Sequence, residues 1–267
     1  MVSRKPHGSP SVPESHPNII VFGQTGAGKS SLINMIAGNN IAQISTDGLT
    51  RCTFDSQPYD VKIDESLTVT LWDTAGLNKG SRDDNDTILR ICELINRLEK
   101  SAILLIFCFR DRIRDGTFEN YELFRKNCDP TVPMAVVVSG LEREPNRMEW
   151  WSRNEVAFTR ARMKFNDHVC IVGTRGDRIG NSNSFKYDEA YDASAREVKA
   201  LIKRAYLWKP RNQNRQQWLS MVLGNMRTLT PGSTSETVDE KLLHQKLKKL
   251  GVGKNDREDI VRAFKAS

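Results

Sequence analysis

Short apolar runs and amphipathic stretches alternate along most of this chain. "NIIVFG", Asn18 to Gly23, is a compact apolar run closed by glycine, as a buried parallel strand would be. In "KSSLINMIAG", Leu32, Ile33, Ile36 and Ala37 recur at helical spacing and Gly38 supplies a stop. "TFDSQPYDVKI" and "LTVTLWDTAG" flank the turn "DES" and predict a β-hairpin. "TILRICELINRLEK" carries Ile88, Ile91, Leu94, Ile95 and Leu98 on one helical face. A strand follows at "AILLIFCF", a helix through "NYELFRKNC", and a strand at "PMAVVVS" ending in Ser139. "WWSRNEVAFTRARMKF" predicts a helix, "HVCIVGT" a strand, and "YDEAYDASAREVKALIKRAYLW" a long helix.

Apart from the hairpin, strands and helices alternate from Asn18 to Trp208. That order predicts an α/β fold: a mostly parallel open sheet with one antiparallel hairpin strand and helices on both faces. Residues 1–17, rich in Pro, Ser and His, lack an apolar core and read as a disordered lead-in, not a signal peptide. Residues 209–235 are linker-like. Residues 236–267 predict two short amphipathic helices around "GVGKND", docked on the main domain or forming a small appendage.

Composition adds a few exclusions. The 267 residues are 38% hydrophobic and 27% charged, which suits a soluble globular protein. The longest apolar run is far short of the roughly 20 residues that cross a bilayer. Five cysteines, an odd number without C-x-x-C spacing, argue against a disulfide framework or a zinc site and for a reducing, cytoplasmic setting. Net charge is +7, which a solvated basic surface and basic tail explain more simply than a nucleic-acid partner; no DNA partner is expected. Lys241, Lys246, Lys248 and Lys249 lie beside leucines in the tail, but nearby acids offset them, so a packed helix pair is favoured there over membrane contact.

The first chemical signal is G-x-x-x-x-G-K-[ST], met by Gly23, Gly28, Lys29 and Ser30 between a predicted strand and a predicted helix. In such a P-loop (Walker A), glycines let the backbone curl until successive N–H groups face one concavity, and the helix N-terminus adds positive potential. The loop Gly23, Gln24, Thr25, Gly26, Ala27, Gly28, Lys29, Ser30 and Ser31 is therefore assigned to a nucleotide triphosphate. Lys29 would bind the β- and γ-phosphates and Ser30 would hold Mg²⁺. "LWDTAG" places Asp73 at the end of a strand, where it can reach the metal, and Gly76 where its N–H can approach a γ-phosphate. This resembles the D-x-x-G element of GTPases. A threonine must then close on the metal from "STDGLTRCTFD"; Thr53, just before the predicted strand, is preferred, with Thr50 the alternative.

GTPases read guanine with N/T-K-x-D after a later strand. Here "SGLE" follows "MAVVV": Ser139 stands at the Asn/Thr position, Gly140 at the Lys position and Glu142 at the Asp position. The base-packing lysine is absent, which leaves Trp150 or Trp151 as a stacking surface or, equally, as core. Thr174 and Arg175 in "GTRGD" are the candidates for backbone contacts to the base.

Taken in order, these elements look like a Ras-like P-loop NTPase. In detail, "NIIVFGQTGAGKSSLINMIAG", "LWDTAGLNKG", "FCFRDRI", "NYELFRKNCDPTVPMAVVVSGLE" and "EWWSRN" resemble fungal G-domain proteins of the septin-related group. Relatives of that group are the immunity-associated GTPases, the chloroplast import-receptor GTPases and the septins. The resemblance spans roughly residues 17–208. It implies GTP and Mg²⁺ binding and, often, a homodimer across the nucleotide face; it names no effector.

Many small GTPases place a water-orienting glutamine directly after D-x-x-G. Leu77 occupies that position, so slow hydrolysis by the monomer is expected, with Lys29, Thr53 and Gly76 as the catalytic set. A second subunit could supply the missing group; Arg110, Arg112 and Arg114 in "FRDRIRDG" are candidates. Three readings follow: a GTP switch acting through the loops around Thr53 and Gly76–Asp86, an assembly module in which GTP is largely structural, and an ATP-using P-loop enzyme.

Overall fold

A computed structural model describes residues 16–42, 56–74, 102–110, 112–113 and 116–208, with scattered positions between 91 and 98 and between 244 and 262. In chain order the elements are β1 (Asn18–Phe22), α1 (Lys29–Ala37), β2 (Gln57–Lys62), β3 (Thr68–Asp73), β4 (Ala102–Arg110), α2 (Thr117–Asn127), β5 (Met134–Ser139), α3 (Arg147–Arg160), β6 (Asp167–Cys170) and α4 (Asp188–Leu207). The strands form one six-stranded sheet in the order β2-β3-β1-β4-β5-β6. β2 runs antiparallel to β3, and every other pairing is parallel.

The period-two rule divides the core. Ile20 and Phe22 of β1, Leu105, Phe107 and Phe109 of β4, and Val136 and Val138 of β5 face one side of the sheet. Phe22 stacks there on Phe124 of α2, centroids 4.0 Å apart. The described positions Ile91, Leu94, Ile95 and Leu98 are buried on the same side, as the apolar stripe of that segment predicts. Val261, from the C-terminal region, is buried in this cluster too. Ile19 and Val21 of β1, Leu104 and Ile106 of β4, and Ala135 and Val137 of β5 face the other side, beneath Leu32 and Ile36 of α1 and Val198, Leu201 and Ile202 of α4.

Two elements differ from the sequence expectation. α3 begins at Arg147, three residues before the tryptophans, because Pro145 and Asn146 break the chain and the Asn146 amide donates to Glu149 Oε1 at 2.8 Å. β6 ends at Cys170, since β5 pairs with it over only four positions.

Parallel strands share a polarity, so the C-terminal ends of β1, β3, β4, β5 and β6 all lie at one edge of the sheet. Gly23, Thr74, Ser139 and Ile171 leave the sheet there. In open α/β sheets this edge is where ligands bind.

Candidate nucleotide site

β1 is the central strand, and its last buried residue, Phe22, hands directly into the glycine loop. Gly23 has φ 142°, and a Cβ built on it would overlap the carbonyl oxygen of Cys108 on β4. Only glycine lets β1 and β4 approach this closely while the chain turns. Gly28, at φ 92°, caps α1, and its carbonyl accepts from Leu32 N at 2.8 Å.

Lys29 is the first helical residue and is buried. Its ammonium donates to the carbonyls of Gly23 at 2.9 Å and Gln24 at 3.0 Å. The cation therefore lies across the start of the loop, fixing the curl that the motif requires. These carbonyls satisfy part of the hydrogen-bonding demand of the buried ammonium. Thr25 and Gly26 form the exposed tip, while Ala27 is buried.

Asp73 ends β3 beside this loop. It is 4% exposed. Ser30 Oγ donates to its Oδ2 at 2.7 Å, and Oδ1 is buried with no hydrogen-bond partner. The next residue, Thr74, donates its hydroxyl to Val21 O at 2.9 Å, so the chain is pinned as it leaves the strand. A carboxylate and a hydroxyl side by side, with one carboxylate oxygen unsatisfied, make the oxygen-rich donor set that Mg²⁺ takes. Thr50, Thr53, Gly76, Leu77 and Arg114 lie outside the described residues.

Ser139 ends β5. Its hydroxyl lies 3.2 Å from Ala27 O and 3.4 Å from Phe109 O, so it ties the phosphate loop to the ends of β4 and β5. Gly140 turns the chain at φ 84°. Glu142 Oε1 accepts from Gly173 N at 3.3 Å, which brings the "SGLE" and "GTRGD" loops together at the same edge. Thr174 is exposed, its hydroxyl accepting from Gly176 N at 3.1 Å.

The large side chains near this edge pack within the fold. The Arg175 guanidinium is committed to α4: it pairs with Asp188 at 2.5 Å and Asp192 at 2.7 Å and lies 4.4 Å over the Tyr191 ring. Trp150 and Trp151 are core residues, not a platform for the base. Trp151 stacks on His168 at 4.4 Å and on Phe158 at 5.1 Å, and both tryptophans are under 10% exposed.

Two residues went unremarked in the sequence. Asn34, buried on α1, accepts from Ile41 N and Ala42 N and donates to Ala42 O, all within 2.9 Å, so it clamps the chain after α1. Its signal was an amide inside an apolar helical run. Gly116 lets the chain pass Gln24, whose side-chain nitrogen would lie 3.0 Å from a Cβ there. Beside the loop, Gln24 to Ala27, the end of β4, Arg112 and Thr117 line a cavity of about 240 Å³.

Residues 18–139 match the profile of the 50S ribosome-binding GTPases. This segment carries the sequence signature of a P-loop GTPase G domain. Among curated proteins, the GTPase Der of Clostridium botulinum is 24% identical over 232 residues, covering 84% of this chain and 48% of that protein. The chain thus spans about half the length of the curated relatives it matches. Toc33 from Arabidopsis thaliana, solved with Mg²⁺ and GMPPNP, aligns at TM-score 0.51 and 16% identity over 72% of this chain and 85% of its own. Era from Aquifex aeolicus, solved with GDP and AlF4⁻, aligns at TM-score 0.50 and 16% identity over 88% of this chain and 66% of its own. Both share the fold of this G domain: a mostly parallel sheet with one antiparallel pair and helices on both faces.

Proposed function

We propose that this G domain binds GTP with Mg²⁺ and hydrolyses it slowly, acting as a nucleotide switch. The observation that carries the reading is the pair Ser30–Asp73 beside Lys29, with Asp73 Oδ1 buried and unpartnered. A buried carboxylate oxygen without a donor is costly unless a cation occupies the site in the working protein. Ser30 and Asp73 are the described residues that would hold Mg²⁺, with Thr53 proposed to join them. When bound, the metal neutralises charge on the terminal phosphates. The chain's own part is to orient. Amides of the glycine loop and the N-terminus of α1 face the phosphates, and the ammonium of Lys29 adds a fixed positive charge. Gly76 is proposed to sense the γ-phosphate through its N–H.

Glu142 is the proposed reader of guanine. Its carboxylate can accept from the N1–H and the exocyclic amine of that base, a donor pair adenine does not present. Gly173 N–H holds the carboxylate at the same sheet edge as the loop. Thr174 follows Gly173 and is proposed to contribute through its main chain, while Arg175 supports the loop from α4.

Nucleotide released from the purified protein on denaturation identifies the ligand. GTP or GDP, with retention abolished by Lys29→Ala, supports the reading. ATP in its place would move the chain to the ATP-using class, and retention unaffected by Lys29→Ala would end the phosphate assignment.

A second reading, dimer-assisted hydrolysis, rests on Leu77, which has no hydrogen-bonding group, and on Arg110 and Arg112, exposed at the cavity beside the loop. These arginines are proposed to meet the nucleotide of a second copy. Single-turnover rates that rise with protein concentration support it; a rate indifferent to dilution rules it out. Placement in the septin-related group rests on the quoted motifs alone. A cytoplasmic location is proposed from the cysteines, of which Cys108, Cys128 and Cys170 are buried free thiols.

A further inference from the structure

Gly173 N–H holds Glu142, and the main chain of Thr174 follows directly; both depend on where two residues of backbone lie. The chain reaches them from β6 through the buried residues Ile171 and Val172. Ile171 N donates to Val138 O of β5 at 2.7 Å. Val172 N donates at 3.0 Å to the hydroxyl of Ser194, a residue of α4 with no exposed surface. That hydroxyl donates in turn to Ala190 O, one turn back in the helix, at 2.7 Å, which leaves its lone pairs for Val172.

Beyond Thr174 the chain makes an excursion over residues 176–186 and returns at Tyr187 to enter α4. Tyr187 N donates to Arg175 O and Lys186 N to Asp177 O, each at 2.9 Å, so the neck of the excursion is closed. Gly176, at φ 75°, permits this neck, since a Cβ there would overlap the Tyr187 ring. Asp188 holds both sides of it: Oδ1 accepts from Arg175 Nη1 at 2.5 Å and Oδ2 from Phe185 N at 2.7 Å. Arg175 Nη2 reaches Asp192, one helical turn along, at 2.7 Å, and the guanidinium lies over the Tyr191 ring. A single exposed ion pair contributes little. Here a planar fork meets two carboxylates and a ring carried by one helix, an arrangement that the point charge of a lysine does not copy.

The chain is thus tied to α4 at Val172 and again at Arg175, and only Gly173 and Thr174 lie between the ties. With about 3.8 Å between consecutive Cα atoms, so short a bridge has little freedom to shift while both ends are fixed. We propose that Ser194 and Arg175 are positioning residues for guanine: from α4 they set the two-residue bridge that aims Glu142 and the Thr174 main chain at the base. Both act through the bridge, not by touching the nucleotide. The inference rests on the assignment of Glu142 to guanine.

The test is the preference of the full chain for GTP over ATP, read with Mg²⁺ by competition for labelled bound nucleotide. The Arg175 side chain is 42% exposed, so its variants are expected to fold like the parent. Arg175→Ala and Arg175→Lys are each expected to lower the preference about fivefold, part of what removing the Glu142 carboxylate costs, with ATP affinity unchanged. Ser194→Ala is expected to act in the same direction. In a Glu142→Ala background Arg175→Ala is expected to change the preference no further, because nothing is left to position. Parental preference in both Arg175→Ala and Ser194→Ala, beside a lowered one in Glu142→Ala, overturns this inference and leaves Glu142 as the reader. Parental preference in Glu142→Ala removes the reading and the inference together. Equal loss of GTP and ATP affinity would make the ties general supports of the domain, and a full effect of Arg175→Ala in the Glu142→Ala background would make Arg175 an independent contact; either result also overturns the proposal.

Discussion

Replacing Asp73 with Asn separates the cost of the metal site from its use. Asp73 is 4% exposed, accepts from Ser30 Oγ at 2.7 Å and leaves Oδ1 without a partner among the described residues. Asparagine keeps the shape and an oxygen for Ser30. The bond weakens by about 1 kcal/mol on losing its charge, because charge-assisted bonds contribute roughly 1.5–3 and neutral ones 0.5–1.5. Against this, removing a buried, half-satisfied charge relieves about 2–3 kcal/mol, of which the Nδ2–H donors now placed where Oδ1 had no partner take back about 1. The net expectation is no loss and a gain of up to about 1 kcal/mol, or an increase in Tm of up to roughly 4 °C for a domain of this size. Function moves the other way: a neutral amide is a poor Mg²⁺ ligand, and the dependence of GTP retention on the metal disappears. The assay is thermal unfolding in EDTA beside GTP dissociation with and without Mg²⁺. A variant that is less stable in EDTA while its nucleotide retention still responds to Mg²⁺ refutes the argument, since the orphaned oxygen would then be neither a cost nor a ligand.

Three further outcomes are expected. Gly23→Ala, strained at φ 142° and overlapping Cys108 O, is expected to destabilise the domain by about 2–4 kcal/mol and to impair nucleotide binding; wild-type urea denaturation would contradict the close approach of β1 and β4. Glu142→Ala is expected to reduce the preference for GTP over ATP by about tenfold or more, read by competition for the bound nucleotide, because a charged acceptor facing two donors contributes roughly 1.5–3 kcal/mol. Burial pushes the Cys108 thiol up to about 12 and Cys170 to about 11, with Cys128 also raised. These thiols stay neutral in the fold while the unfolded chain ionises near 8.5–9, so stability is flat below that range and falls as pH climbs towards 11–12. Urea titrations from pH 7 to about 10.5 measure this, and constant stability across that range would contradict the burial of these thiols.

The phosphate half of the site was legible because its chemistry constrains consecutive residues. A glycine-flanked lysine between an apolar strand and an apolar helix has few other uses, and Gly23, Lys29, Ser30 and Asp73 come together as that pattern implies. The hairpin was equally plain, since alternation switches sides across "DES". The base end was harder because its evidence is non-local. "WW" reads the same as a stacking platform or as core until Phe158 and His168 are known to lie against it. Arg175 sits in the loop expected to face the base, and its side chain finds partners 13 and 17 residues further on. Asp188 and Asp192 are spaced i, i+4, a face that attracts a guanidinium, and that spacing was the available clue. Lone residues such as Asn34 and Gly116 carry no motif, only an unusual type for their place.

The two halves of the site are not mechanically independent. Ser139 belongs by position to the base-reading element, yet its hydroxyl contacts Ala27 of the phosphate loop and Phe109 of β4. A Cβ on Gly28 would come within 3.5 Å of the same hydroxyl, so the loop is seated against it with little room to drift. From the other side, Cys108 blocks displacement of Gly23, and the Lys29 ammonium ties Gly23 to Gln24. Such a loop is set before any ligand arrives, and less of the binding energy is lost to ordering it. Base recognition then need not move the phosphate loop to be felt there. On the proposed reading it would be enough for Glu142, held by Gly173 N–H thirty-four residues beyond Ser139, to keep the nucleotide in register over a cradle whose shape the ends of β1, β4 and β5 have already decided.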